Sequence, residues 1–384
     1  MLQAGDWMPR ALIFLFDGTA NEPTEPSAEP SNVFKLNSLV AESRSIGRRH
    51  RSQVTFYIPG IGTKFTSRGM FSKIRQLWFG DGVYEMVMRA YINLASNYRP
   101  GDDLLVIGFS RGAIAARLFC RLVSDFGLLQ ANSVRYFSDM FEGFSAATKG
   151  TFNSYAEAAS KFRSQYSEQM LETPSIKFLG LFDCVGGPRE FRNFLHVIDQ
   201  RQSENVLRYV HLMSLHDMRD HFVLARLQPS NGESREIWVP GVHSDVGGGY
   251  RHDALANTCL FTMAIALQRD AGIALETTAL SKLQDEIDTS LASHLVAVNR
   301  EGPSVAKKKR NDYFLQSDKV HWIHFVLIGE SVHWKDEAYE VYQNRLGDSL
   351  APDDWTRKLL QKLGPFVAAE LKRKSPPSRR SRSK

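Results

Sequence analysis

The sequence predicts an α/β fold in which a mostly parallel central sheet is flanked by helices. Short apolar runs that end at a glycine or a turn are typical of buried parallel strands. Helical patterns lie between these runs, and the alternation of strand and helix builds βαβ units. With 384 residues, the chain is long enough for one large domain with insertions, which we expect over residues 1–370.

Six apolar runs rich in aliphatic and aromatic residues are the predicted strands: Ala11–Phe16, Val54–Ile58, Leu104–Ile107, Ile176–Phe182, Glu236–Val239 and Trp322–Ile328. Helices are predicted where apolar residues recur at helical spacing. Ser31 is the expected N-cap of the first helix, because its hydroxyl can accept a hydrogen bond from the first turn. The predicted helical segments are residues 31–43, 83–98, 111–123, 254–296 and 353–371.

Two segments interrupt this alternation. Residues 128–172 are polar and helix-prone, and residues 187–232 contain charged helical patterns with one candidate strand, 221–227. We predict that both are insertions over the carboxyl edge of the sheet, where they form a lid or a substrate pocket. A basic run, residues 307–310, follows a Gly-Pro pair and is predicted to be an exposed loop.

The net charge of +6 is concentrated at the carboxyl end of the chain. Seven lysines and arginines and no acid follow Leu371, which leaves a net charge of −1 for residues 1–370. A basic tail rich in serine and proline, residues 371–384, is predicted to be disordered. Its charge suits peripheral contact with an anionic membrane, and we expect no nucleic-acid partner.

The cysteines, the first ten residues and the apolar runs all indicate the cellular compartment of the chain. The three cysteines form no CxxC pair, and an odd number argues against a disulfide framework and for a reducing environment. Residues 1–10 lack the pattern of a secretory signal, and no uncharged apolar run reaches about 18 residues. We therefore expect a chain that is cytoplasmic as synthesised, without a transmembrane helix, and export without a cleaved signal stays open.

Residues 104–113 read LLVIGFSRGA and contain the motif G-x-S-x-G around Ser110. An apolar strand leads into this motif and a helical pattern leads out, which is the arrangement of the nucleophile elbow in an α/β-hydrolase fold. Gly108 and Gly112 leave room for the neighbouring strand and helix. We predict Ser110 as a nucleophile and the N–H of Arg111, at the helix start, as a donor to an oxyanion.

A nucleophilic serine needs a base, and the base needs an orienting acid. Asp183 directly follows the strand Ile176–Phe182, and His243 follows the next predicted strand in a glycine-rich loop. The chain order Ser, Asp, His is the order expected for this fold. We therefore predict Asp183 as the acid and His243 as the base.

A rival pair is Asp245 as the acid with His333 as the base. We favour the first pair because His333 lies four residues beyond Gly329, where a helix is expected. Asp245 is then expected to hold its own loop through backbone hydrogen bonds.

The first strand ends in Asp17-Gly18-Thr19, a glycine turn at the sheet edge. A hydrolase of this fold obtains its second oxyanion N–H from such a turn, so we assign this role to Gly18 and Thr19. Asp17 is expected to cap the turn.

No cofactor or metal ion is predicted. The triplet at residues 247–249 lacks the G-x-G-x-x-G spacing of a dinucleotide-binding turn. His243, Asp245, His252 and Asp253 are close in sequence, but a catalytic loop followed by a helix cap explains them better than a metal site.

Six motifs occur in order along the chain: FDGTAN at 16–21, SNVFKL at 31–36, YIPGIGT at 57–63, GFSRGA at 108–113, LFDCVGG at 181–187 and PGVHSDVGGGY at 240–250. Together they resemble the type VI secretion phospholipase-effector family of α/β hydrolases, over roughly residues 11–333. The resemblance implies a hydrolase of phospholipid esters with catalytic roles for Ser110, Asp183 and His243.

The chain departs from that family in places. Cys184 replaces a frequent threonine, and Gly329 stands where the family often has a histidine. Residues 211–222 look like the helical segment that precedes the histidine loop in the family. A chain of this length leaves little room for the large membrane-docking modules of the well-known effectors.

The expected function is therefore hydrolysis of carboxylic esters of lipids by a phospholipase A-type activity with an acyl-enzyme intermediate. Two alternatives stay open, namely a non-lipid carboxylesterase and a catalytically silent binding module on a hydrolase scaffold. A phosphatase of the haloacid-dehalogenase type is suggested by FDGT, but its nucleophilic aspartate is replaced by Leu15.

Overall fold

A computed structural model gives the fold of this chain. Among the residues that it describes, no helix is both long enough and apolar enough to cross a membrane. The described residues are 8–18, 29–60, 82–148, 152–186, 201–220, 222–227, 234–251, 253–293, 296–299, 310–333, 339–344, 346 and 350–374.

The strands within these residues are β1 Ala11–Phe16, β2 Ser43–Ile46, β3 Arg49–Ile58, β4 Asp103–Phe109, β5 Leu128–Leu129, β6 Met170–Leu171, β7 Ile176–Phe182, β8 Val185–Gly186, β9 Tyr209–Ser214, β10 Val223–Leu224, β11 Arg235–Val239, β12 Lys319–Val320, β13 Ser331–His333, β14 Tyr339–Val341 and β15 Ala351–Pro352. The helices are α1 Asn32–Leu39, α2 Gly82–Asn97, α3 Arg111–Arg121, α4 Phe137–Thr148, α5 Phe152–Gln165, α6 His243–Gly247, α7 Ala254–Asp270, α8 Thr277–Ala292, α9 Ile323–Leu327, α10 Asp354–Leu360 and α11 Pro365–Arg373.

Nine of these strands form one central sheet in the order β15-β12-β11-β9-β7-β4-β1-β3-β2. Every neighbouring pair is parallel except β2 and β3, which form an antiparallel hairpin at one edge. Helices cover both faces, so the predicted α/β-hydrolase type of architecture, with a mostly parallel sheet, is confirmed. Because the strands run parallel, the ends of β1, β4, β7 and β11 meet at the same carboxyl edge.

The two faces of β1 show how the sequence builds the core. Ala11, Ile13 and Leu15 pack into a cluster with α1 and α7 on one face. Leu12 and its alternate neighbours Phe14 and Phe16 pack with α2 and α3 on the other face. Successive side chains of a strand point to opposite faces, so a strand covered on both sides must be apolar throughout.

Helix α1 confirms its predicted N-cap. The Ser31 hydroxyl accepts a hydrogen bond from the N–H of Phe34 at 3.1 Å. The helix ends at Leu39, earlier than predicted, and the chain then turns into the β2–β3 hairpin.

Two predicted elements are wrong, and a third is shorter than predicted. Residues 322–328 form a turn and helix α9 instead of a strand, because a short buried apolar run has no periodicity that separates the two. Residues 209–214, inside the predicted insertion 187–232, form β9 of the central sheet. The helical segment expected at 211–222 is therefore absent, and strand β10 is confined to Val223–Leu224.

The segment 128–172 contains α4 and α5, and its two ends pair as the antiparallel strands β5 and β6. Its aromatic side chains pack against α2 and against the π-helical residues 122–126 that follow α3, and Phe144 contacts both Tyr84 and Phe126. The predicted lid role of this segment stays a prediction. Residues 187–200 and 228–233 of the second insertion lie outside the described residues.

The predicted tail begins too early. Helix α11 continues to Arg373, and Lys374 donates to the carbonyl of Ile328 at 2.6 Å. Arg373 and Lys374 both bind Glu330 at 2.8 Å. These ion pairs hold Arg373 and Lys374 against the domain. The rest of the predicted tail, residues 375–384, lies outside the described residues.

Candidate active site

Ser110 lies in the one-residue turn between β4 and α3. Its backbone has φ 59° and ψ −127°, a combination that L-residues rarely adopt and that costs about 1–3 kcal/mol. The residue is mostly buried, with 8% of its surface exposed. This strained strand-to-helix turn is the predicted nucleophile elbow.

The two motif glycines make the turn possible. A Cβ on Gly108 would lie 2.6 Å from the Cα of Ala113, and one on Gly112 would lie 2.3 Å from the carbonyl oxygen of Asp17. Both distances are shorter than real Cβ contacts. The absence of these side chains therefore brings α3 against the end of β1, which places the turn at Asp17 beside the elbow.

Asp183 follows β7, the strand adjacent to β4. The N–H of Ser110 donates to the carbonyl oxygen of Phe182 at 3.2 Å, and the N–H of Asp183 donates to Leu212 at 2.7 Å. Asp183 has φ 36°, which is again strained for a non-glycine residue. The two strand ends thus place the serine and the carboxylate side by side.

The Asp183 carboxylate is fully buried and receives four hydrogen bonds. Oδ1 accepts from the N–H of Ser214 at 2.8 Å, and Oδ2 accepts from its hydroxyl at 2.9 Å. Oδ2 also lies 2.7 Å from Nδ1 of His243 and 3.2 Å from Nη2 of Arg310. Burial by itself raises the pKa of Asp183, but the Arg310 charge and these hydrogen bonds together hold the pKa well below its usual range.

His243 opens the short helix α6 directly after β11. Its backbone N–H donates to Oδ2 of Asp217 at 3.3 Å. Its ring packs on the ring of Phe109, the residue before Ser110, with 4.6 Å between the ring centroids. Phe222 contacts the same ring edge-to-face at 4.8 Å. Since Nδ1 is held by Asp183, Nε2 is the nitrogen that can accept the serine proton.

The Ser110 hydroxyl makes no hydrogen bond within the described residues. In enzymes without substrate, the bond between serine and histidine is often long and forms only when the substrate binds. The ring position of His243 beside Phe109, together with the bond to Asp183, is the geometry from which such a contact can form.

Asp245 and His333, the rival pair, have other partners. Oδ2 of Asp245 accepts from the N–H groups of Val242 and Asn299, both at 2.9 Å, and Oδ1 accepts from Nδ2 of Asn299 at 2.6 Å. Burial raises the pKa of Asp245 to about 7, although these three hydrogen bonds oppose the shift. His333 lies in β13 with its ring against Tyr339. Asp245 thus braces the loop that starts α6.

The turn at Asp17 is a rigid junction. Oδ2 of Asp17 accepts from the hydroxyls of Ser31 and Tyr57, each at 2.7 Å. Oδ1 accepts the N–H of Gly18 at 2.6 Å, so in this arrangement the predicted oxyanion donor Gly18 is engaged by its neighbour. Thr19 lies outside the described residues. Leu15 is buried in β1, so no carboxylate occupies the position that a dehalogenase-type phosphatase needs.

Arg310 contacts the predicted acid Asp183, although no sequence pattern indicates this contact. The exposed loop predicted for residues 307–310 is wrong at this position, because Arg310 is only 3% exposed and binds Asp183. Its Nε donates to the carbonyl oxygen of Asp217 at 3.1 Å. Residues 307–309 lie outside the described residues. A charged residue at the end of a basic run carries no sequence signal that distinguishes it from its solvated neighbours.

No group of three or more histidine, cysteine, aspartate or glutamate side chains is arranged to hold a metal ion in the part of the chain that the structure describes. His252, one of the residues weighed as a ligand, lies outside that part. The three cysteines, Cys120, Cys184 and Cys259, are buried free thiols.

Comparison with known proteins finds relatives both by sequence and by structure, among them the following three. An uncharacterised protein of Saccharomyces cerevisiae is 28% identical over 227 residues, which are 55% of this chain and 32% of that protein. The chain thus spans about a third of that relative. An uncharacterised protein from Pseudomonas aeruginosa has a TM-score of 0.44 and 20% identity, over 76% of this chain and 50% of that one. A Tle1 effector bound to the VgrG spike of a type 6 secretion system has a TM-score of 0.35 and 21% identity, over 65% and 55%.

A family model matches the larger, amino-terminal part of the sequence. The model of the type VI secretion phospholipase effector Tle1-like catalytic domain matches residues 10–266. This range contains the turn at Asp17, the elbow at Ser110, and both Asp183 and His243. Because the match extends over about two thirds of the sequence, the chain belongs to the Tle1-like phospholipase effectors, a family of lipid-hydrolysing enzymes.

Proposed function

We propose that this chain is a serine phospholipase of the A type, which cleaves carboxylic esters of phospholipids through Ser110, His243 and Asp183. The observation that carries the proposal is the 2.7 Å contact between Nδ1 of His243 and Oδ2 of Asp183 beside a strained serine turn. The family membership supports a phospholipid as the substrate class.

In the first step, Nε2 of His243 takes the proton of the Ser110 hydroxyl as Oγ attacks the ester carbonyl carbon. The resulting tetrahedral intermediate carries a negative charge on the former carbonyl oxygen. Asp183 stabilises the imidazolium and holds its ring orientation. When the intermediate collapses, the C–O bond of the ester breaks and the lysolipid alkoxide leaves with the proton from His243. The acyl group stays on Ser110 as an ester.

In the second step, water attacks the acyl-enzyme while His243 takes one of its protons. Collapse returns that proton to Ser110 and releases the fatty acid. The N–H of Arg111 at the start of α3 is the first oxyanion donor in this scheme. For Gly18 to be the second donor, its N–H has to turn away from Asp17, and Thr19 is the neighbouring alternative.

The test is the release of free fatty acid and lysophospholipid from mixed phospholipid vesicles. We expect release by the wild type and a loss of about three orders of magnitude or more in Ser110→Ala. Ser290→Ala on the surface helix α8 is the matched control and keeps full activity. Release of a phosphorylated headgroup or of phosphatidic acid instead of fatty acid would contradict the A-type assignment. Cleavage of a short-chain aryl ester alone would keep the nucleophile and exclude membrane lipid as the substrate.

The same proposal includes a setting. The chain is cytoplasmic as synthesised and reaches lipid from the membrane surface, where the basic residues 375–384 contact anionic headgroups. Fractionation of cells that express the chain tests this directly, since the proposal requires recovery in the soluble and peripheral fractions and release of the peripheral part by salt.

A further inference from the structure

We propose that Arg310 is a positioning residue of this site, whose buried positive charge fixes the Asp183 carboxylate and offsets part of the negative charge that this carboxylate presents to His243. The inference rests on the proposed function, because it concerns the same acid and base. It adds a residue outside the matched region 10–266 and outside the three catalytic side chains.

The first support is the shared oxygen. Oδ2 of Asp183 lies 2.7 Å from Nδ1 of His243 and 3.2 Å from Nη2 of Arg310. A carboxylate whose only partner is an imidazole stabilises the imidazolium form with its full negative charge. Here a permanent cation on the same oxygen offsets part of that charge, since arginine stays protonated in proteins.

The second support is the low exposure of the pair. Arg310 is 3% exposed and Asp183 is fully buried, so water screens their charges little. The guanidinium is also fixed in place by the bond from its Nε to the carbonyl oxygen of Asp217. The carboxylate of the same residue, Asp217, accepts a hydrogen bond from the backbone N–H of His243 at 3.3 Å. Arg310 and His243 are thus aligned by one residue.

The third support is an unsatisfied donor. Within the described residues, Nη1 of Arg310 is buried without a hydrogen-bond partner. A buried charge with an incomplete set of partners is weak evidence for a stabilising role, because its desolvation is costly and an apolar side chain of similar size often serves stability better. The contact with Asp183 therefore points to a role in the site.

Among the described residues, three other charged side chains lie around His243. Asp217 binds the His243 backbone and pairs with Arg219 at 2.6 Å, and Arg219 lies over the Phe222 ring that touches the histidine. Asp245, two residues along α6, is held by Asn299. None of these groups bonds to the Arg310 side chain, apart from the Asp217 carbonyl, so replacing Arg310 changes one charge.

The main experiment compares Arg310→Met with the wild type in the pH dependence of kcat/KM for a soluble ester. Without the cation, protonated His243 is favoured, so we expect the acid limb of the profile to move up by about one pH unit. Arg310→Lys restores a charge at that place, and we expect its acid limb to return most of the way. An unchanged acid limb in Arg310→Met would overturn the inference, even if the overall rate falls.

Arg226→Met is the matched control. Arg226 is another mostly buried arginine, and it binds Asp318 and Glu236 at 2.8 and 2.6 Å and the carbonyl of Tyr313 at 2.7 Å. Its loss is expected to lower stability without moving the acid limb. A shift of equal size in Arg226→Met would assign the effect to general loosening of the segment 310–318 and would contradict a specific role for Arg310.

A second readout separates this inference from the proposed function. The ring titration of His243 is followed by NMR in the Ser110→Ala background, with and without Arg310→Met. An upward move of its midpoint supports the role of Arg310 whether or not the wild type cleaves lipid, and an unmoved midpoint overturns it. Absence of lipid cleavage and of fluorophosphonate labelling in the wild type would instead contradict the proposed function alone.

Discussion

The N–H of Ser110 donates to the carbonyl oxygen of Phe182 at 3.2 Å, so the serine turn is bonded to the strand end that carries Asp183. Ser110 and Asp183 are also the two non-glycine residues with positive φ in the described part of the chain. Strained backbone persists only where its surroundings hold it, and it concentrates at functional sites. Two adjacent strand ends therefore share one strained junction.

Gly112→Ala tests the close approach of α3 to β1. The new Cβ would lie 2.3 Å from the carbonyl oxygen of Asp17 and 2.4 Å from that of Phe16, and neither backbone atom can move aside easily. We expect a loss of about 2 kcal/mol or more in the free energy of unfolding, as for overpacked sites, together with a large loss of esterase activity. Denaturant unfolding and ester cleavage measure the two effects.

Gly143→Ala is the matched control for that substitution. In helix α4 its Cβ would meet Phe126 at 3.5 Å, which is ordinary contact. Since alanine is the better helix former, we expect a gain of roughly 0.5–1 kcal/mol and unchanged activity. If both variants lost stability equally, the argument from the Gly112 contact would fail.

Asp183→Asn decides between the two candidate acids. The amide nitrogen of asparagine cannot accept the hydrogen bonds that Oδ2 accepts, and the amide favours the wrong tautomer of His243. We therefore expect activity to fall about ten-thousand-fold. His333→Ala is expected to keep activity within about threefold. Fluorophosphonate labelling rates of the two folded variants give the comparison, and a collapse in His333→Ala with activity kept in Asp183→Asn would favour the rival pair.

Burial of Asp245 is expected to make the free energy of unfolding depend on pH. Burial raises its pKa from 3.8 to about 7 in the folded state, so between these values the folded chain binds a proton that the unfolded chain has lost. The stability that this proton contributes is fully present below about pH 4 and is lost as the pH rises through about 7. At 1.36 kcal/mol per unit of pKa shift, its upper limit is roughly 4 kcal/mol.

Asp245→Asn removes this titration and keeps the side-chain shape. Its unfolding free energy, measured from pH 4 to pH 8, is expected to fall less with pH than that of the wild type. Asp183 acts in the opposite sense, because its lowered pKa gives stability that is lost only below about pH 4. Parallel curves for wild type and Asp245→Asn would show that Asp245 stays ionised.

Deletion of residues 375–384 tests the basic tail. It removes three arginines and one lysine and leaves the ion-paired end of α11 intact. We expect weaker binding to anionic vesicles, by about 1 kcal/mol for each charge at the surface, mainly at low salt. Vesicles of neutral lipid are the control, and equal binding of both chains to anionic vesicles would exclude this role.

The sequence predicted most of what builds the sheet edge. Strands β1 and β7 have the predicted bounds, because an all-apolar run that ends at a turn is a strong signal. The proposed serine, acid and base lie at the ends of β4, β7 and β11 because parallel strands bring their carboxyl ends together. Strand β9 was missed since it contains His211 and Ser214, polar residues whose burial depends on distant partners.

Those partners lie far along the chain. His211 is held by Glu236 at 3.0 Å and accepts the N–H of Cys184 at 3.1 Å. Arg310 reaches Asp183 over 127 residues of sequence. Local patterns carry no information on such pairings, so buried polar networks are the part of the site that sequence reasoning cannot recover.

The reach of Arg310 and Asn299 also affects how the site forms during synthesis. A ribosome that has translated only residues 1–266 has made the serine, the acid and the histidine, but neither the side chain that braces Asp245 nor the cation on Asp183. Strands β12 and β15, which extend the sheet beyond β11, are also still missing. A nascent or truncated chain that ends near residue 266 would therefore carry all three proposed reactive groups without the contacts that hold Asp245 and Asp183 in place.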